Sequence, residues 1–389
     1  MNNSKKNLLS LYVHWPYCES KCPYCDFNSH VNEKIEMNYW IKSFKNQLKA
    51  MKEELGEKNI SFENLNTIFF GGGTPSLMPI EIVENIIKVS KDIYGFNDDI
   101  EISLEANPSS YDGKKFKKLK QVGVNRLSIG VQSLNNKYLE FLGRSHKIDD
   151  VEISLKDACN IFDNISVDLI YAFHGQKIND WISELKNFLD KNNLQHLSLY
   201  QLTIEEGTKF FKDHRNGRIK KIDDDLAAEF YYVSNELISD YDFCKYEVSN
   251  YAKKNFKCKH NLNYWNSENW IGIGPGAYGR LWSSDKSYRI EYQNYKNPKT
   301  WLSKNLFQSK FEKITNLKSC VSDKDTLIMG LRLYDGIEIS KLKDKSIINF
   351  RSLSELENKN MISLKNEILK VNERHMIKLN SIIDYIVNP

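Results

Sequence analysis

Between Leu8 and Tyr200 the chain alternates short runs of aliphatic and β-branched residues with longer stretches whose apolar positions recur every three or four residues. Short apolar runs bounded by turn residues predict buried strands, and the longer periodic stretches predict amphipathic helices. The short runs are Leu8–His14, Thr67–Phe70, Ile100–Leu104, Arg126–Gly130, Ile165–Ile170 and His196–Tyr200, with amphipathic segments such as Tyr39–Leu55 and Pro79–Tyr94 between them. This order predicts successive βα units and a parallel sheet. Six strands fall two short of a closed eight-stranded barrel, so the pattern predicts a partial (β/α)6 barrel that is open along one side.

A parallel sheet needs both faces covered, so another segment is expected to close the gap. Residues 206–307 are placed there: a helix around Leu226–Leu237, then turn-rich aromatic sequence through Tyr246–Tyr251 and Tyr264–Tyr278. Residues 308–389 carry helical patterns at Asp323–Leu333 and Leu353–Asn358 and alternating residues at Ile362–Val371. They are expected to form a smaller C-terminal α/β domain, after a core of residues 1–205.

Composition narrows the class without changing that picture. With 41% hydrophobic and 27% charged residues the chain falls among ordinary globular proteins. No window approaches the ~18 apolar residues of a membrane span. The apolar stretch that ends at Val13 is too short for a signal-peptide core. Basic and acidic residues, 55 and 51, are interspersed, which argues against a nucleic-acid or membrane footprint. Seven cysteines, an odd number, do not read as a secreted disulfide framework, and a reducing cytoplasmic compartment is expected.

Three of those cysteines crowd into the loop after the first strand as Cys18-x3-Cys22-x2-Cys25. Lys21, Pro23 and their neighbours mark a loop rather than a core segment. Three thiolates on a four-iron cubane leave one iron free for a small chelator, and S-adenosylmethionine (SAM) has the amino and carboxylate groups of one. Structural zinc is the alternative, with Asp26 or His30 as its fourth ligand.

The cysteine spacing, with Tyr12 six residues before Cys18 and Tyr24 just before Cys25, resembles the radical SAM superfamily. The resemblance continues through Phe69-Phe70-Gly71-Gly72-Gly73-Thr74-Pro75-Ser76, Glu105-Ala106-Asn107-Pro108, Gly123 to Ser133, Leu142-Gly143-Arg144-Ser145-His146 and Tyr246-Glu247-Val248-Ser249-Asn250-Tyr251. These blocks are similar to the coproporphyrinogen oxidase branch and, within it, to haem chaperones of the HemW type. The resemblance implies a [4Fe–4S] cluster on Cys18, Cys22 and Cys25, an exchangeable SAM, and an electron donor. It places SAM at the carboxyl edge of the strands. Gln132 and Asp168 are then expected at the ribose hydroxyls, Arg144 at the methionine carboxylate, and Glu105 with the Gly72, Gly73 and Thr74 backbone at the amino group. Taken singly, each has a structural hydrogen bond or ion pair as its alternative.

Within the branch, the oxidases decarboxylate two propionates of coproporphyrinogen III, whereas the HemW type binds haem and passes it to acceptor proteins. The oxidase pattern has a further cysteine two residues after the triad, where this chain has Phe27, and a longer N-terminal extension than the eleven residues preceding Tyr12. His260-Asn261-Leu262-Asn263-Tyr264-Trp265 matches the H-N-x-x-Y-W motif associated with haem in the HemW type. His260 reads either as an axial iron ligand or as a hydrogen-bonded core histidine. Cys258-Lys259-His260 is not a covalent haem motif. The HemW likeness implies haem, a haem-acceptor protein that can be membrane-associated, and no nucleic acid as partners. Two alternatives stay open: an oxygen-independent coproporphyrinogen III dehydrogenase, and a radical SAM enzyme acting on an unrelated small molecule. The family's Gly-Leu-Pro-Gly-Gln after the fifth strand is replaced by Ala172-Phe173-His174-Gly175-Gln176, with His174 expected at the surface.

Overall fold

The computed structural model describes residues 8–31, 34–58, 60, 62 and 64–387. Six parallel strands lie side by side in chain order: β1 (Leu9–Trp15), β2 (Leu65–Gly72), β3 (Phe96–Ala106), β4 (Arg126–Gln132), β5 (Ile165–Tyr171) and β6 (His196–Gln201). Helices α1 (Met37–Glu57), α2 (Ile80–Tyr94), α3 (Gly113–Gln121), α4 (Asn136–Phe141), α5 (Ile148–Ile161) and α6 (Ile178–Lys191) fill the crossovers. All six predicted strands are present.

Period-two alternation sorts the strand residues onto two unlike faces. Leu9, Leu11, Val13, Ile68, Phe70, Leu104, Leu127, Val167 and Leu197 point to the helices and are buried in one core. Their neighbours on the concave face are Ser10, Tyr12, His14, Thr67, Glu101, Ser103, Glu105, Arg126, Ser128, Ser166, Asp168, His196 and Ser198. A concave face this polar suits a charged, water-soluble ligand.

After β6 the chain adds α7 (Lys209–Arg215) and α8 (Asp224–Ser239), then short strands β7 (Cys244–Lys245) and β8 (Asn250–Ala252). β8 pairs antiparallel with β6, and β7 with β8. Helix α9 (Lys259–Trp265) follows, and β9 (Asn269–Ile273) pairs parallel with β1 at the opposite edge. β10 (Tyr278–Trp282), β11 (Arg289–Gln293) and, beyond α10 (Pro298–Asn305), β12 (Lys313–Leu317) extend that edge antiparallel. The sheet has twelve strands in the order β12-β11-β10-β9-β1-β2-β3-β4-β5-β6-β8-β7 and is open. The segment after residue 206 thus lengthens both edges instead of sealing them with strands. Its α9 instead lies across the concave floor.

A second core is built from α11 (Ser319–Gly330), β13 (Ile337–Glu338), α12 (Phe350–Asn358), β14 (Ile362–Lys365), β15 (Ile368–Val371) and α13 (Leu379–Ile386). Its small antiparallel sheet has the order β13-β15-β14. Polar contacts tie this module to both flanks of the large sheet. Asp325 on α11 accepts from Arg280 of β10 at 2.7 Å. Arg332 donates to Glu247, in the turn between β7 and β8, at 3.3 Å and lies 4.4 Å from the Trp265 ring.

One departure from the family pattern has a backbone cost. Ala172, just after β5, adopts φ 64°. A Cβ in that left-handed region costs about 1–2 kcal/mol. Ala172→Gly is therefore expected to raise stability by about 0.5–1 kcal/mol after the entropy of the unfolded glycine is deducted. Urea denaturation midpoints check this, and an unchanged or lowered midpoint refutes it.

Candidate functional site

The cysteine loop is folded by its own main chain. The Tyr17–Cys18 segment pairs with His30–Val31, His30 N–H donates to the Pro16 carbonyl at 2.7 Å, and Cys25 N–H donates to Cys22 O at 3.1 Å. All three thiols are free and half-buried. Burial pushes the Cys18 and Cys25 thiols up, so metal binding there must release protons. Among the described residues no three histidine, cysteine or carboxylate side chains converge as a single ion requires. The donor set, three half-buried cysteine thiols on one loop, fits an iron–sulfur cluster that keeps one iron for a small chelator.

Facing that loop, the end of β2 turns sharply. Gly72 has φ 113°, and a Cβ on Gly73 would stand 2.7 Å from the Tyr17 carbonyl oxygen. Gly73 N–H donates to Trp15 O at 2.7 Å and Thr74 N–H to Tyr17 O at 2.9 Å, so this turn is packed directly on the loop that carries Cys18. Only glycine permits that approach.

Arg144, after α4, brings its guanidinium to the same place. Nη1 lies 3.5 Å from Cys22 Sγ, while Nη2 donates to Asn107 Oδ1 at 2.6 Å and to Gly130 O at 3.1 Å. Asn107 donates in turn to Thr74 Oγ1 at 3.2 Å. Cys22, Thr74, Asn107, Arg144 and Ser145 line a shallow polar cleft. Tyr24 is fixed at its rim against Phe210, with a centroid separation of 6.3 Å.

Deeper in the concave face, Glu105 accepts from Gly72 N–H at 3.2 Å and Asp168 accepts from Ser128 Oγ at 3.0 Å. Burial, reinforced by the nearby Asp168 charge, pushes the Glu105 carboxyl up to about 8. Burial also raises Asp168, against hydrogen bonds from serines that favour its charge. Burial favours the neutral form of both carboxyls, and a cationic or hydrogen-bond-donating ligand such as an amine or ribose hydroxyls would favour their charged, accepting form. Gln132 closes β4 with φ 70°, a left-handed conformation at the carboxyl edge. Tyr12 bonds His14 Nδ1 at 3.0 Å, and His14 Nε2 reaches the Asn28 carbonyl at 3.0 Å.

His260 stands apart from this edge. It is 1% exposed on α9, against the concave floor, and its ring stacks on Phe69 at 5.0 Å. Nδ1 lies 2.7 Å from Thr67 Oγ1, which itself donates to Ser10, so the imidazole N–H is at Nδ1. The remaining lone pair, on Nε2, accepts from Tyr264 Oη at 2.9 Å. Burial drives the ring to about 3, which keeps it neutral. Of the two readings open in the sequence, the hydrogen-bonded core histidine is the one this conformation adopts. An axial bond to iron requires breaking the Tyr264 contact.

Glu101 explains why α9 sits there. Its carboxylate accepts from the backbone N–H groups of Lys259 at 3.1 Å and His260 at 3.2 Å, the first turn of the helix. Glu101, Ser128 and Asn107 are absent from the residues expected from the sequence. Glu101 shares the alternating stripe of Ser103 and Glu105 and was legible on that ground. Asn107 lies just beyond the strand, where alternation no longer says which way a side chain points.

The family model of the radical SAM superfamily matches residues 12–187. The mitochondrial radical S-adenosyl methionine domain-containing protein 1 of Dictyostelium discoideum is 34% identical, over 99% of this chain and 96% of that protein. The heme chaperone HemW of Buchnera aphidicola from Acyrthosiphon pisum is 37% identical over 70% of each chain, and that of Haemophilus influenzae 34% over 76% of each. In fold, the chain superposes on coproporphyrinogen III oxidase (HemN) from Escherichia coli with a TM-score of 0.80 at 18% identity, covering 98% of this chain and 90% of that one. By its cysteine loop, its sheet and these likenesses, the chain belongs to the HemW-type branch of the radical SAM superfamily.

Proposed function

We propose that this protein binds haem and passes it to an acceptor protein, with a [4Fe–4S] cluster on Cys18, Cys22 and Cys25 and SAM in the polar cleft beside them. The observation that carries the reading is Phe27. Two residues after the triad, where the oxidase pattern has a further cysteine, this chain presents an aromatic ring that is 57% exposed. The HemW relatives at 34–37% identity support the same choice.

The bound cluster and SAM would supply one-electron cleavage of SAM to methionine and a 5′-deoxyadenosyl radical. The chain's own part is binding and orientation. Arg144, already positioned by Asn107, would grip the methionine carboxylate. Glu105 and the Gly72 to Thr74 turn would receive the amino group, and Gln132 and Asp168 the ribose hydroxyls. Tyr12 and Tyr24 would line the cavity and limit water. His260 would hold the floor in place through Thr67 and Tyr264, rather than bond iron.

Anaerobic reconstitution followed by haem titration tests the proposal, with coproporphyrinogen III turnover assayed in the same preparation. A saturable Soret band and no decarboxylation are the expected result. SAM-dependent decarboxylation without stable haem binding would establish the dehydrogenase instead. In His260→Ala the Soret band is expected to persist while the melting temperature falls. A lost band at an unchanged melting temperature would place iron on His260.

A further inference from the structure

We infer that Asn28 is a positioning residue for the cluster-bearing loop, stapling it to the far end of the chain. This rests on the cluster and SAM reading above, and it concerns how the loop is held rather than what the loop binds.

Asn28 lies three residues past Cys25, on the return limb of the cysteine hook. Its Nδ2 donates both of its hydrogens across the molecule, to Pro275 O at 3.0 Å and to Lys296 O at 2.9 Å. Those carbonyls belong to two different turns, one joining β9 to β10 and one following β11. The other groups of Asn28 are also engaged. Its Oδ1 is 3.3 Å from His30 Nε2, and its main-chain oxygen receives His14 Nε2 at 3.0 Å. One half-buried residue, through its side chain and its carbonyl, therefore joins β1, the cysteine hook and the β9–β11 edge of the sheet.

The turn is shaped to receive it. Gly274 has φ 98° and Gly276 φ 77°, and a Cβ on Gly276 would stand 2.5 Å from Asn28 Nδ2. Gly274 N–H is held from behind by Gln47 Oε1 at 2.9 Å, and Gln47 donates to Asn294 at 2.5 Å. The staple is thus anchored in buried structure, not in a free loop. The return limb is also held by Ser29 N–H to Phe27 O at 2.7 Å, by hydrogen bonds from Phe27 and Ser29 to the Cys25 thiol, by His14, and at its end by His30 N–H to Pro16 O at 2.7 Å, while Asn28 ties it to the β9–β11 edge. Groups one step removed from metal ligands commonly set ligand orientation, and their loss costs roughly 10–100-fold in metal affinity or activity.

Asn28→Asp keeps the shape but turns the two donors into acceptors facing carbonyls. Gly276→Ala attacks the same contact from the opposite side. Gly217→Ala is the control for backbone strain, because Gly217 has φ 70° with nothing within 4 Å of its Cβ position. In the metal-free chain, tryptic cleavage after Lys21 reports whether the hook is held. In the reconstituted chain, the electron paramagnetic resonance signal of the reduced cluster with and without SAM, and the SAM dissociation constant, report positioning.

Both Asn28→Asp and Gly276→Ala are expected to speed cleavage at Lys21, to alter the SAM-induced spectral change, and to weaken SAM by about tenfold. Gly217→Ala is expected to do none of these. Wild-type spectra and SAM affinity in Asn28→Asp would overturn the inference, as would equal losses in Gly217→Ala. Faster cleavage with unchanged SAM affinity would make the staple structural only, which also overturns it. A wild-type chain that assembles no SAM-binding cluster would count against the proposed function, and the Lys21 cleavage rates would still decide whether the staple holds the hook.

Discussion

Arg126→Leu is expected to destabilise the protein by about 3–5 kcal/mol, the cost of leaving buried charges without their counter-charge. Arg126 opens β4 at the floor of the concave face and is 2% exposed. Burial disfavours its charge, but Cys258, Glu101, Tyr246 and Asp168 outweigh that and hold it protonated. After burial, its positive charge is the cause that lowers His196 and His260. Leucine fills part of the volume but leaves the Glu101 carboxylate, which caps α9, without this cation and with the helix amides, Ser103 and Cys258 as its hydrogen-bond partners. The variant should therefore loosen α9 as well as lower the urea midpoint, visible as faster amide exchange at His260 and Asn261. Adding Glu101→Gln should restore part of the loss, since the two opposite charges interact across the buried floor and coupled groups share about 0.5–3 kcal/mol. A loss below about 1 kcal/mol, or strict additivity of the two, would show that Arg126 does not balance this floor.

The second large effect is a pH dependence centred on Glu105. Its carboxyl is raised to about 8 in the fold from an ordinary value of 4.5, first by burial and then by Asp168. Between those values the native chain binds a proton that the unfolded chain has released. Stability from this group accordingly falls as pH rises, by up to about 1.4 kcal/mol per pH unit, and is lost once pH passes 8. His14 and His260, lowered to about 4 and about 3 by burial, act with the opposite sign but only below their unfolded value of 6.5. Lys245, lowered to about 7 by burial, makes stability rise with pH above 7. The difference between wild type and Glu105→Gln cancels these backgrounds. From pH 6.8 to 8 the wild type should lose stability relative to Glu105→Gln, and parallel profiles would refute the assignment.

Much of this architecture is readable along the chain, for reasons that differ by residue. The six parallel strands follow from local apolar runs, since each strand's burial is written within a few consecutive positions. The cysteine hook is legible because Cys18, Cys22 and Cys25 lie within one loop, so their proximity needs no tertiary contact. Glu105 and Asp168 stand out as acids in apolar runs, and alternation puts them on the same face as Ser128 and Arg126. Phe27 is informative because it is the wrong residue for one reading and acceptable for the other.

Local sequence encoded the six βα units of a parallel sheet, the acids set in apolar strands and the three-thiol loop, because each is written in residues close together in the chain. The tertiary structure alone decided three other matters. Residues 206–307 extend both sheet edges, because β8 pairs with β6 and β9 with β1 across large separations that no local period reports. Arg144 reaches Cys22 and Asn107 because three separate strand ends meet at one edge. His260 meets Thr67 and Tyr264 through its two ring nitrogens because α9 packs against β2, a contact that its local sequence does not report.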